Sequence, residues 1–150
     1  LHLNTRSILK WYSIILFVAP LLYWALLEFR IVVEKASLAY MMHNQPAVSI
    51  SVIVAITDFL LGYYCWINKN KLISNIKELK TFYIWQLFCQ LFVGNIICSL
   101  LCLFGLRALQ GQKNSNVTVS YFKATILVST ILYIFCILLL GSIGLKGLRG

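Results

Sequence analysis

The sequence predicts an all-α integral membrane protein in which four antiparallel helices, joined by short loops, cross the bilayer. The first observation is composition: 61% of the residues are hydrophobic and 11% are charged, whereas soluble domains are about half apolar and a quarter charged. The second is the presence of four apolar runs, each of at least the roughly 20 residues that cross about 30 Å of hydrocarbon. The third is a helical spacing of small residues within two of these runs. Because backbone polar groups must be satisfied inside lipid, helices are the expected form of each run.

The chain is interpreted as one transmembrane domain over residues 1–150. Its four predicted spans cover residues 9–33, 46–67, 81–106 and 119–144. Pro20 should bend the first span, since it lacks a donor and its ring crowds the preceding turn. Pro46 suits the first turn of the second span. The polar segment 68–80 fits either an amphipathic surface helix or a basic loop.

Basic residues outnumber acidic ones by 13 to 4, which gives a formal charge of +9. They border the apolar runs, where anionic headgroups lie, so lipid and not nucleic acid is the expected partner. With four spans, one face would hold eight of them: Arg6, Lys10, Lys69, Lys71, Lys77, Lys80, Lys146 and Arg149. The other face would hold five: Arg30, Lys35, Arg107, Lys113 and Lys123. The positive-inside rule then predicts a multi-pass protein of a cell or organelle inner membrane, with both termini on the cytoplasmic or matrix-like side.

Two stripes of small or polar residues run along predicted spans at helical spacing. The stripe on the second span includes Ser51, Ala55 and Gly62, and the stripe on the third includes Gln90, Gly94 and Cys98. Small residues at this spacing let another transmembrane helix approach closely. Both stripes are therefore predicted to be helix-packing surfaces.

Asp58 lies near the middle of the second span, 12 residues from its outer end, or about 18 Å at 1.5 Å per residue. Asn95, Ser129 and Thr130 fall at nearly the same depth on the other spans. The sequence predicts that these four residues form one buried polar layer, because an isolated carboxylate in hydrocarbon is costly. Two roles for Asp58 stay open here: a proton or cation site, and a structural clasp between helices.

Glu28 and Lys123 form a second candidate pair, each four or five residues from the outer end of its predicted span. An ion pair between the first and fourth spans is one interpretation. The alternative is that Lys123 extends to the headgroups while Glu28 meets water.

No catalytic arrangement is found in the sequence, and an enzyme is not expected. No motif for phosphate binding, nucleophilic catalysis or zinc binding is present, and His43 has no further ligand at metal-binding spacing. No metal site or cofactor is therefore predicted. The five cysteines lie within the apolar runs and are interpreted as packing residues, and Asn116–Thr118 matches a glycosylation sequon.

Three hypotheses for function follow. The first is a non-catalytic accessory subunit that packs against partner helices in a larger membrane complex, favoured by the small soluble mass and the two stripes. The second is a small transporter or ion-conducting oligomer centred on Asp58. The third is a membrane resistance or immunity factor. The expected partners are the bilayer and either other membrane subunits or further copies of this chain.

Overall fold

The computed structural model describes residues 4–113 and 117–149, with side chains up to residue 145. These residues form six helices and no strand, which confirms the all-α prediction for the described chain. The helices are α1 (Thr5–Glu34), α2 (Leu38–Asn44), α3 (Pro46–Ser74), α4 (Ile76–Phe92), α5 (Ile96–Ala108) and α6 (Phe122–Arg149). Asn116 of the predicted sequon lies outside the described residues.

Three of the helices are long and apolar enough to span a membrane. They are α1, α3 and the Phe122–Leu145 part of α6. The Asn4 side chain caps α1 by accepting a hydrogen bond from the Arg6 N–H, and α1 continues through Pro20. Pro46 occupies the first turn of α3, where the missing N–H costs nothing. The membrane assignment therefore rests on three helices, and four spans are not shown.

The third predicted span, 81–106, is not one continuous helix, because the chain breaks between α4 and α5. Gly94 adopts a positive φ of 83°, and its N–H donates to Leu91 O at 3.2 Å. The Asn95 N–H donates to Gln90 O at 2.8 Å. These two bonds form a Schellman motif, a common helix ending that favours glycine at the positive φ. The Asn95 side chain then accepts from the Cys98 N–H at 3.3 Å and caps the start of α5.

The chain reverses direction at this break, so that α4 and α5 form a helical hairpin. Gly105 of α5 packs directly against the ring of Tyr83 on α4. At the far end of α5, Ala108 O accepts a hydrogen bond from Thr5 Oγ1 at 3.4 Å, and Gln112 Nε2 donates to the same Thr5 oxygen at 2.7 Å. Because Thr5 begins α1, the hairpin brings the chain back to the end from which α1 starts.

α6 begins at that same end. Before it starts, Val117 O accepts from Asn75 Nδ2 at 2.8 Å, and Ser120 O accepts from Tyr64 Oη at 3.0 Å. Asn75 follows the last residue of α3 and precedes α4. Thus α1, α4 and α6 all begin at one end, and α3 and α5 finish there. We call it the basic end, because nine of the 13 basic residues lie there by their positions in the chain.

This arrangement differs from the predicted one, in which both termini share a side. The beginning of α1 and the end of α6 lie at opposite ends of the helical assembly, since the two helices run in the same direction. The physical reason is the hairpin: it replaces one predicted crossing with a reversal, which leaves three helices long enough to span a membrane.

In the core, the rings of Tyr12, Phe82 and Tyr83 meet on the side of the basic end. Tyr12 lies edge-on to both of the others, with centroid separations of 5.9 and 6.1 Å, a favourable aromatic geometry. All three side chains are fully buried. They attach the hairpin to α1.

The hairpin gives a first prediction, on Gly105. A Cβ on Gly105 would lie 2.6 Å from the buried Tyr83 ring. We expect Gly105→Ala to destabilise the protein by about 1–3 kcal/mol through overpacking, measured as a lower unfolding temperature in detergent. Gly141→Ala is the matched control, because a Cβ there meets nothing within 4 Å. Equal stability of the two variants would contradict the close packing of α4 on α5.

The direction of the chain gives a second prediction, on Lys71 and Lys113. The structure places the end of α3 and the loop after α5 at the same end. We expect Lys71→Cys and Lys113→Cys to react with an impermeant thiol reagent from the same side of the membrane, and Lys35→Cys from the other. The unsubstituted protein gives the background, since its five cysteines are buried. A continuous span over 81–106 would instead place Lys71 and Lys113 on opposite sides.

Candidate functional site

Asp58 joins three helices near the middle of α3. It lies 12 residues after Pro46, about 18 Å along the helix, and its side chain is 4% exposed. Its Oδ1 accepts a hydrogen bond from Gln90 Nε2 of α4 at 2.8 Å and one from Tyr133 Oη of α6 at 2.5 Å. One carboxyl oxygen therefore connects α3, α4 and α6.

The donors to Asp58 are themselves buried and linked. Gln90 Nε2 also lies 2.9 Å from Tyr133 Oη, and both side chains are at most 1% exposed. The Asn95 side chain at the hairpin turn also faces the carboxyl group. These four residues, Asp58, Gln90, Asn95 and Tyr133, are called the Asp58 network below. It attaches the tip of the hairpin to two of the spanning helices.

The Asp58 network contains no basic group. Among the described residues, one salt bridge is formed. It joins the exposed side chains of Arg30 and Glu34, one turn apart on α1, with an N–O distance of 2.9 Å. Asp58 is thus held by neutral donors, whose hydrogen bonds to a carboxylate are stronger than those between neutral groups. Within the described residues, no basic side chain forms a salt bridge with Asp58.

A cavity of about 290 Å³ adjoins the Asp58 network on the side away from the basic end, and 'above' hereafter means this direction. It follows α3 from Asp58 to Ala47, the second residue of that helix. Its walls include Pro20, Tyr23, Ala47, Ser51, Asp58 and Val93. The cavity exists because the chain turns back at Gly94, so that no helix of the hairpin continues into this space. Asp58 lies at its inner end and Val93 of the hairpin turn lines it.

The predicted polar layer is present in part. Asp58 and Asn95 come together, whereas Ser129 and Thr130 donate to Ile126 O of their own helix at 3.0 and 2.5 Å. Thr130 Oγ1 also accepts from Trp85 Nε1. The hydroxyls in α6 are thus satisfied locally, as is common for Ser and Thr in helices.

The sequence analysis did not predict Gln90 and Tyr133 as hydrogen-bond donors to Asp58. Gln90 was assigned to a packing stripe, and Tyr133 was not singled out. Tyr133 lies four residues after the buried Ser129, which places both on one helical face. That spacing is the sequence signal that identifies Tyr133.

The two predicted stripes divide between different environments. Ser51 and Ala55 line the cavity, while Gly62 packs against Leu16 of α1. On the third run, Gln90 and Cys98 are both buried but belong to different helices. Gly94 forms the turn between those helices and contributes no packing surface.

The predicted ion pair between Glu28 and Lys123 is not formed. Glu28 lies in the last two turns of α1 and Lys123 is the second residue of α6. Because these helices run in the same direction, the two side chains lie at opposite ends of the protein. The predicted ion pair assumed that the loop before α6 lies at the end opposite the start of α1. Because of the hairpin, that loop lies at the same end as the start of α1.

No protein family, curated protein or solved structure matches this sequence. Within the described ranges, no group of three or more His, Cys, Asp or Glu side chains could hold a metal ion. Function is therefore inferred from the Asp58 network and the cavity above it.

The Asp58 network gives a third prediction. We expect Tyr133→Phe to lower the free energy of unfolding by roughly 1–2 kcal/mol, because it removes a buried donor to the carboxyl group. Thermal unfolding in detergent measures the loss. Tyr121→Phe is the matched control, since the Tyr121 side chain is 82% exposed. An unchanged unfolding temperature for Tyr133→Phe would show that the bond to Asp58 does not hold α6 in place.

Proposed function

We propose that the protein is a non-catalytic subunit of a membrane complex and that a helix of a partner chain packs into the cavity beside α3. The observation that carries this proposal is the position of Ala47, Ser51 and Ala55. These small residues line an open cavity, with Ala47 exposed, Ser51 half-buried and Ala55 buried. Small residues at such spacing are typical of close helix contacts in membranes.

The length of the cavity suits a helix that lies along its open side and inserts side chains into it. Ala47 and Asp58 are 11 residues apart, which is about 16 Å, or about three turns of a partner helix. By contrast, the lipid-facing residues of α1 and α6 are large, among them Leu26, Phe29 and Leu138. Asp58 at the inner end offers a hydrogen-bond acceptor to a polar side chain of the partner, which would fix its register.

The orientation proposed for the subunit follows from its basic residues. Nine lie at the basic end by their positions in the helices and loops: Arg6, Lys10, Lys69, Lys71, Lys77, Lys80, Arg107, Lys113 and Lys123. The other four, Arg30, Lys35, Lys146 and Arg149, belong to the opposite end. Nine against four is a stronger bias than four spans would give, and it supports a basic end on the cytoplasmic or matrix-like side. The start of α1 then lies on that side and the end of α6 lies across the membrane.

A second candidate function is a small transporter or ion-conducting oligomer. The observation that favours it is that Asp58 lines the same cavity and has no basic partner among the described residues. An intramembrane carboxyl group facing a cavity is a typical element of proton and cation pathways. In this alternative the cavity holds solute and the protein associates with copies of itself.

Filling the cavity distinguishes the two candidates and gives a fourth prediction. We expect the natural protein, purified in mild detergent, to retain an unlike membrane chain in fixed stoichiometry. Ser51→Phe should lose that chain, because the added ring occupies the space of the partner helix. Ser142→Phe, on the exposed surface of α6, is the matched control and should retain it. Quantitative mass spectrometry of the purified complexes measures both.

Asp58→Asn separates a structural role from a transport role. The subunit proposal expects this variant to keep the partner chain, since the amide keeps an oxygen at the Oδ1 position. A purified homo-oligomer that loses proton- or cation-driven uptake in vesicles on Asp58→Asn supports the second candidate instead. A monomer that binds no other chain with or without Ser51→Phe contradicts the subunit proposal.

A further inference from the structure

A second concave site lies between α4 and α6 at the basic end, separate from the Asp58 cavity. It is a groove of about 650 Å³. Its walls include Lys77, Thr81 and Trp85 on α4, and Lys123, Leu127 and Thr130 on α6. No residue that lines it belongs to the Asp58 network.

The mouth of the groove is positively charged for two reasons. Lys77 is the second residue of α4 and Lys123 is the second residue of α6, so each lies at a helix beginning. Because the two helices run in the same direction, the positive ends of their dipoles lie side by side. Glu78 also lines the groove, and against two lysines it leaves the formal charge of the lining at +1.

The wall of the groove below the two lysines is largely apolar. Trp85 of α4 and Ile126 and Leu127 of α6 line it, while Phe122 precedes Lys123 and lies at the mouth. Trp85 Nε1 donates to Thr130 Oγ1 at 2.5 Å, which joins the two helices. Lys77 and Trp85 are eight residues apart, about 12 Å along the helix. Charge at the mouth and apolar surface below it is the order in which a phospholipid presents its phosphate and its acyl chains.

We propose that this groove binds an anionic phospholipid, with the phosphate between Lys77 and Lys123 and an acyl chain against Ile126 and Leu127. Basic pockets between transmembrane helices on the cytoplasmic side are suited to such headgroups. The surrounding charge favours the same ligand, since nine of the 13 basic residues lie at this end. A soluble phosphate ester shares the headgroup chemistry but lacks the chain that the apolar wall contacts.

Native mass spectrometry of the detergent-purified full chain tests this proposal. The probes are phosphatidylglycerol, phosphatidylcholine with the same acyl chains, and soluble glycerol phosphate. We expect retention of phosphatidylglycerol in preference to the other two. Lys77→Gln with Lys123→Gln should lower the affinity for phosphatidylglycerol about 25-fold, from about fivefold for each lysine.

Two further variants keep the result specific to the groove. Lys10→Gln with Lys113→Gln removes the same charge from the same end without touching the groove and should change the affinity less than about twofold. Glu78→Gln should raise the affinity, because it removes the negative charge of the lining, and this gain does not depend on a damaged fold. Equal losses for the two lysine pairs, or equal binding of phosphatidylcholine, would overturn the site. Equal binding of glycerol phosphate would show that the groove binds a free phosphate ester, and it would contradict the proposal of a lipid ligand.

Discussion

A chain that reverses direction inside an apolar layer must satisfy its backbone polar groups without water, and the rest of this structure depends on how residues 93–95 do so. Gly94 and Asn95 close one helix and open the next with hydrogen bonds supplied within the turn. Non-helical backbone at membrane depth is tolerated where it is buried in protein or lines a cavity. The turn meets the second condition, since Val93 lines the cavity; the half-buried Asn95 side chain faces Asp58.

Three larger features follow from this one reversal. Three helices remain long enough to span a membrane, and the first and last of them run in the same direction. The loop before α6 returns to the basic end, which concentrates the positive charge there. The space that a fourth helix would fill remains open beside α3. A single two-residue signal thus determines topology, charge asymmetry and the shape of the candidate site.

Much of the fold could be predicted from composition and run length, because these reflect the cost of placing polar groups in lipid. The three spanning helices contain most of the residues assigned to the first, second and fourth apolar runs, and Asp58 was identified as a buried residue at mid-depth. The hairpin was missed because an apolar run of 26 residues has the same composition whether it forms one helix or two half-length helices. Only local chemistry separates these cases. The signal that was overlooked is a glycine suited to a helix end, Gly94, followed by an asparagine suited to a helix start, Asn95.

The errors at the candidate site have the same origin. Pairing Glu28 with Lys123 assumed a fourth crossing, and depth along a helix has meaning only once its direction is known. The residues that hold Asp58 depend on tertiary packing: Gln90 lies on a four-residue repeat that also fits a packing stripe, and Tyr133 resembles the many aromatic residues that face lipid. Sequence periodicity assigns residues to a face of a helix but does not identify the helix that this face meets.

The cavity above Asp58 ends at the hairpin tip, and this has a consequence for permeability. Its inner end is closed by the hairpin tip, and below that lie the packed rings of Tyr12, Phe82 and Tyr83. Water or an ion that entered from the side opposite the lysines would stop at Asp58 and leave by the way it came. The described helices thus form a recess that ends at buried side chains. Passage along this path beyond Asp58 would require the hydrogen bonds of Gln90 and Tyr133 to Asp58 to break, so the residues that fasten the hairpin also close the inner end of the cavity.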